Sequence, residues 1–211
     1  MSSSLPSAER DPKYSRNTNP LDITNAIVSF VEEILKRDGN LIFGGHPTIS
    51  PLILKVAMKF SLNEINPNRI KIYQSEFFKN IISKYTKELL DLKLGKIIWT
   101  ENMNNDRTQS LNQMRNRMLK DNYLHAGIFV GGMEGIEDEF EMFREFYPNN
   151  PFYLVASSGG AARLLYDEFV RYDRDWTFPW KYNYENLREE LYISKIYPSL
   201  ARLIINDIVI R

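Results

Sequence analysis

Apolar residues in this chain alternate between two patterns. Short unbroken runs occur at Leu41-Ile42-Phe43, Ile70-Lys71-Ile72-Tyr73, Lys96-Ile97-Ile98-Trp99, 127–130 and Phe152-Tyr153-Leu154-Val155-Ala156. Runs this short and this apolar predict strands buried on both faces. Between them, apolar residues recur at helical spacing. Ile23, Ala26, Ile27, Phe30, Val31 and Ile34 predict a helix that Asp38-Gly39 ends. Further helices are predicted from Ser50 to Phe60 with Pro51 early, from Asp106 to Asp121, from Gly135 to Phe146, and from the Ser157-Ser158-Gly159-Gly160 turn through Phe169. Phe77 to Leu94 reads as a mostly helical, Lys-rich connection closed by Gly95. This alternation predicts an α/β fold: a parallel sheet of about five or more strands, helices on both faces, and right-handed crossovers.

The two ends of the chain look different. Residues 1–20 are Ser, Pro, Asn and charge without periodicity, and predict a flexible N-terminal tail. Residues 21–170 form the predicted α/β domain. The remainder, 171–211, begins with an aromatic stretch from Tyr172 and Trp176 to Tyr184, and continues as two helices around Pro198. It is expected to pack on the same domain as extra core, to close over a ligand, or to make a subunit contact.

Composition narrows the function classes. The 211 residues are 43% hydrophobic and carry a formal net charge of zero. No global charge recruits nucleic acid or an anionic membrane. No apolar run is long enough to span a bilayer, and the N-terminus has no apolar signal core. There is no cysteine, which removes disulfides, thiol nucleophiles and Cys-based metal sites. The expectation is a soluble, cytoplasmic protein with no nucleic-acid or membrane partner.

Candidate chemistry gathers where strands end. Three strand ends carry glycine pairs: Gly44-Gly45, Gly131-Gly132 and Gly159-Gly160. In open parallel sheets ligands bind beyond the carboxyl ends of strands, and these turns are expected to converge there. The turn Gly131-Gly132-Met133-Glu134-Gly135 opens a helix, whose first N–H groups suit a phosphate or sugar. On that helix Ile136, Phe140 and Phe143 form the face turned to the sheet. Glu137, Asp138 and Glu141 point away. Glu139 lies at the edge of the buried face. It is either a boundary acid that stabilises the helix start, or a general base or ribose-binding carboxylate. On the preceding helix Leu111, Met114 and Met118 make the apolar stripe, flanked by Arg115 and Arg117. These arginines are either surface side chains with stems over apolar neighbours or donors to phosphate. His46 lies in the first glycine turn near Thr48 and Ser50, whose hydroxyls either cap the next helix or donate to a ligand. Ser157 and Ser158 form either a capped turn or an anion nest. Two distant histidines do not make a metal site, and neither a metal nor a cofactor is expected.

These residues resemble a family. Met114-Arg115-Asn116-Arg117-Met118, a strand, and then Gly131-Gly132 through Glu139 resemble the core of the SLOG superfamily, whose namesakes are the LOG phosphoribohydrolases. Gly44-Gly45-His46-Pro47, the Y-Q-S-x-F-F run from Tyr73 to Phe78, the G-G-M-E-G-I-x-D-E-F block and A-S-S-G-G-A resemble most the group called SLOG cluster 3. The resemblance covers roughly Asn25 to Asp167. It implies a Rossmann-like fold that binds a nucleotide or nucleotide-derived ligand. It also places Arg117 and Glu139 at the motif arginine and glutamate, which in LOG enzymes support cleavage of the base–ribose bond. The motif threonine is Ile136 here, the proline before the glycines is Val130, and one extra residue precedes Gly135.

Two functions from different classes follow as expectations. One is a binding module for an NAD-derived or cyclic-nucleotide signal, acting as a sensor or a sequestering protein in bacterial antiphage signalling, with a homodimer and a separate effector protein as partners. The other is an N-glycosidase in which Glu139 and Arg117 would be catalytic. A third reading is an assembly protein that kept the fold and lost the ligand.

Overall fold

The computed structural model describes residues 1–7, 11–60, 66–171 and 184–209. In chain order the regular elements are β1 (Ser2–Ser4), α1 (Pro12–Ser15), α2 (Pro20–Lys36), β2 (Leu41–Gly44), α3 (Ile49–Met58), β3 (Ile70–Ser75), α4 (Lys84–Asp91), β4 (Lys96–Thr100), α5 (Arg107–Lys120), β5 (Gly127–Gly131), α6 (Glu134–Phe146), β6 (Phe152–Val155), α7 (Gly160–Tyr166), α8 (Tyr184–Ile193) and α9 (Tyr197–Val209). Every apolar run read as a strand is a strand. The aromatic stretch from Tyr172 to Tyr182 lies outside the described residues.

The chain divides into two compact units, Met1–Glu33 with Leu124–Arg211, and Ile34–Tyr123. The single sheet of five or more strands expected from the sequence is not formed. Instead there are two three-stranded parallel sheets, β1-β5-β6 and β2-β3-β4. The physical reason is visible at β5. One of its edges pairs with β6, and the other is taken by β1, with Ser2 opposite Phe129 and Ser4 opposite Gly131. No apolar residue marks β1. Backbone hydrogen bonds hold it, helped by Ser3 Oγ, which donates to the Val130 carbonyl at 2.9 Å. Part of the stretch assigned above to a loose tail is therefore a strand.

In the first unit helices cover both faces of the sheet. Ile136, Phe140 and Phe143 are all buried, and Phe140 packs edge-on against Phe129 and Phe152, with ring centroids 5.3 and 4.9 Å away. Burying a ring of this size contributes roughly 2–3 kcal/mol. Successive strand residues face opposite ways, so Tyr153 points to the other side. There its hydroxyl donates to Oδ2 of Asp207 on α9 at 2.5 Å. The C-terminal helices are tied in further by Tyr166, whose hydroxyl donates to the Arg188 carbonyl at 2.8 Å.

In the second unit the same alternation sorts the sheet. Tyr73 packs with Met114 and Met118 of α5, joined by Ile42, Ile98 and Leu111. This is the apolar stripe read from the sequence. Ile72 and Ile97 are register partners on the opposite face. Asp106 caps α5 by accepting from the Gln109 amide at 2.9 Å. Arg69 closes the end of α2: its guanidinium donates to the carbonyls of Leu35 (3.0 Å) and Gly39 (3.1 and 3.2 Å) and pairs with Asp38 at 3.1 Å. Leu35 is one of the last helical residues, whose carbonyls lack an intrahelical partner, and Gly39 belongs to the turn that follows.

Candidate functional site

In the first unit the two glycine turns at the ends of β5 and β6 lie directly against each other. Gly131 and Gly132 have φ of +60° and +88°, and Gly159 and Gly160 of +78° and +61°. Side chains rarely adopt this backbone region. The Ala161 amide donates to the Gly132 carbonyl at 3.0 Å. A Cβ on Gly160 would sit 2.6 Å from that same oxygen. Ser158, almost fully buried, ties the turns together. Its hydroxyl donates to the Val155 carbonyl at 2.6 Å and accepts from the Gly131 amide at 2.8 Å. That hydroxyl is spent on the fold. Ser157 differs: its carbonyl accepts from Tyr197 at 3.2 Å, while its Oγ is a buried atom with no partner.

The space beside these glycines is taken by the chain itself. A Cβ on Gly131 would meet Ile23 at 2.4 Å, one on Gly132 would meet Ile136 at 2.0 Å, and one on Gly159 would meet the Asn17 carbonyl at 2.3 Å. The glycines thus permit close internal packing at these atoms. Met133 stands at the N-cap position of α6 without a side-chain cap. Its sulfur accepts from the Ser7 amide at 3.4 Å. Glu134 is exposed and Gly135 half-buried in the first turn of α6.

Glu139 is half-buried at the edge of the apolar face, where helical geometry puts it. Its Oε2 accepts from Ser2 Oγ at 2.6 Å. Glu137, read above as pointing away from the sheet, accepts from the Tyr14 hydroxyl at 2.8 Å and lies 3.6 Å from Lys13 Nζ. Burial pushes the Tyr14 hydroxyl up to about 12. Residues 2–18 thus make repeated contacts with the start of α6 and both glycine turns.

The second unit holds the first glycine turn. The Gly45 amide extends the ladder to the Tyr73 carbonyl at 2.7 Å. Thr48 occupies the N-cap position of α3 without a side-chain hydrogen bond, and its amide donates to His46 Nδ1 at 3.3 Å. Ser50 accepts from the His46 amide at 3.0 Å. Beyond this turn lies a small cleft, partly open to solvent, with Gly45, His46 and Ser50 at one end and Ile72 and Ile97 as its floor. The two arginines of α5 differ from each other. Arg117 is largely exposed and pairs with Asp121 at 2.9 Å. Arg115 is buried, and its Nη1 donates to Asn112 Oδ1 at 3.4 Å.

A family model, the SLOG cluster3 family, matches residues 13–187. The chain belongs to the SLOG cluster3 family. No curated protein and no solved structure matches it. Membership points to binding or processing of a nucleotide-related ligand, carried on an α/β Rossmann-like fold. Among the described residues no helix is long and apolar enough to cross a membrane.

Of the candidate residues in this SLOG cluster3 chain, the structure brings together Gly131, Gly132, Ser158, Gly159 and Gly160 in the first unit, with Ser157 beside Ser158. In the second unit it gathers Gly44, Gly45 and His46, with Thr48 exposed next to them. The residues missed from sequence are the other walls of the cleft, Gln74, Phe78, Ile82, Ser83 and Thr86. The Y-Q-S-x-F-F run contained two of them, Gln74 and Phe78. A glutamine that ends an apolar strand run was the available signal.

Proposed function

We propose that this protein binds a nucleotide-derived ligand of the NAD-derived or cyclic-nucleotide type, and acts as a sensor or sequestering protein without turning the ligand over. Family membership supports the ligand class. The observation that carries the choice of binding over hydrolysis is the state of the two motif residues. Glu139 is bonded to Ser2, and Arg117 to Asp121. A glycosidase would need that carboxylate free to activate water and that guanidinium free to offset charge. A binding module activates no water and offsets no leaving-group charge. Ile136 in place of the motif threonine agrees with this reading. In the first unit the buried Ser157 hydroxyl is a polar group without a hydrogen-bond partner. Signalling runs through a homodimer or a separate effector protein in the cytoplasm.

The test is a melting-temperature screen with ADP-ribose, NAD and cyclic dinucleotides, followed by calorimetry. A ligand at a hundred times its Kd raises stability by about 2.7 kcal/mol, which is several degrees for a chain of this size. The reading fails if no compound shifts the transition, or if NAD or a nucleoside monophosphate releases free base in a manner abolished by Glu139→Gln.

A further inference from the structure

The cleft of the second unit carries hydrogen-bonding capacity that the fold does not use. Gln74 is the centre of it. The residue is 8% exposed, and its Oε1 accepts from the Ser75 amide at 3.2 Å. That bond fixes which end of the carboxamide is oxygen. Nε2 is left with two hydrogens and no acceptor among the described residues, on the wall of the cleft. That nitrogen is open to the cleft rather than enclosed, so an acceptor on a bound molecule can reach it. The neighbouring glycine belongs to the same arrangement, since a Cβ on Gly45 would lie 3.0 Å from that nitrogen. Only a glycine there leaves the carboxamide in place.

The other polar groups at this end are donors too. His46 Nδ1 accepts from the Thr48 amide, so in the neutral ring the proton sits on Nε2. Ser50 is 4% exposed and accepts through its oxygen from the His46 amide, which keeps its own proton available. The rest of the cleft is apolar, with Ile72 and Ile97 below and Phe78, Ile81, Ile82 and Leu90 around them, apart from Ser83 and Thr86, whose hydroxyls bond to each other at 2.8 Å. Among the described residues no Asp, Glu, Lys or Arg lines it. A phosphate would find no cation there, and a cationic group would find no carboxylate.

We infer that this cleft binds an uncharged heteroaromatic ring bearing hydrogen-bond acceptors, a group of the nucleobase class, with Gln74 Nε2 donating to a ring nitrogen or carbonyl. The ring lies on the Ile72–Ile97 floor, and its acceptor edge faces Gln74 and Ser50. The inference rests on the reading above for the ligand's class alone. The cleft and its donors stand without it.

The experiment uses the full chain and free bases that lack ribose and phosphate. Adenine and nicotinamide are titrated to millimolar concentration while ¹⁵N NMR follows the Gln74 side-chain amide and the Gly45 backbone amide. The expected result is that at least one base shifts both signals. Gln74→Leu then weakens its binding about tenfold, the effect of losing one or two hydrogen bonds. Ile82→Trp, which fills the cleft and leaves Gln74 untouched, abolishes binding and serves as the deciding variant should Gln74→Leu not fold. Shifts confined to other residues, no shift with either base, or affinity unchanged in Ile82→Trp would overturn the inference. Loss of ADP-ribose binding with adenine still shifting Gln74 would sink the proposed function and leave the cleft assignment standing.

Discussion

Ser2 and Glu139 are joined by a hydrogen bond of 2.6 Å, between a strand at the start of the chain and the acid at the edge of α6. The bond is charge-assisted and short, a strong class of contact. The acid that the family motif assigns to the ligand is thus already answered from within the protein. A ligand that uses Glu139 must compete with Ser2. Glu139→Ala is expected to weaken ADP-ribose binding, and Ser2→Ala to strengthen it by up to about tenfold, the free energy of one such bond. Calorimetry on both variants checks this. Equal affinity in wild type and both variants would remove Glu139 from the ligand site.

The glycine turns give a second prediction. Gly160→Ala forces a side chain into a left-handed backbone region and against the Gly132 carbonyl, 2.6 Å away. Neither the turn nor its neighbour is a flexible side-chain end that can yield. The cost is expected at about 2–4 kcal/mol, read as a lower midpoint in urea. A change under about 0.5 kcal/mol would mean that the turns do not meet as described.

Much of this fold is legible in the chain, and the gaps have physical causes. The five apolar runs announce their strands, although only β5 and β6 are buried throughout while β2 and β4 keep half-buried positions. The Ile136, Phe140, Phe143 stripe places Glu139 correctly because helix geometry alone decides it. β1 is invisible for the opposite reason. Ser2, Ser3 and Ser4 pair through the backbone, and backbone hydrogen bonding leaves no mark in side-chain pattern. The glycines are legible as places where no side chain fits, but a sequence does not say what fills the space. At Gly131, Gly132 and Gly159 it is Ile23, Ile136 and Asn17. Gln74 hides because a polar residue ending a strand ordinarily faces water.

Asp207 and Tyr153 supply a third prediction. Both are fully buried, and the tyrosine hydroxyl donates to the carboxylate at 2.5 Å. Removing either partner leaves a buried polar group short of a bond, at a cost of about 1–3 kcal/mol. Tyr153→Phe and Asp207→Ala are each expected to destabilise by that amount, and the double variant by less than the sum, because the two share one interaction. Strict additivity in a urea-unfolding cycle would show that the pair does not couple.

The last prediction concerns alkaline pH. Burial raises the hydroxyls of Tyr14 and Tyr197 from 10.0 to about 12. Below pH 10 both are protonated in the folded and unfolded chain, so their contribution is fully present. Between pH 10 and 12 the unfolded chain releases protons that the folded one keeps. Unfolding is then favoured, and stability falls as pH rises. Tyr14 also donates to Glu137 at 2.8 Å and Tyr197 to the Ser157 carbonyl at 3.2 Å, and neither bond survives ionisation. Urea midpoints measured from pH 8 to 11 should be flat at first and then decline. Tyr14→Phe and Tyr197→Phe should each start lower, by roughly 1 kcal/mol for the lost bond, and the double variant should show a shallower alkaline decline than wild type. An equally steep decline in the double variant would assign the alkaline loss to other groups.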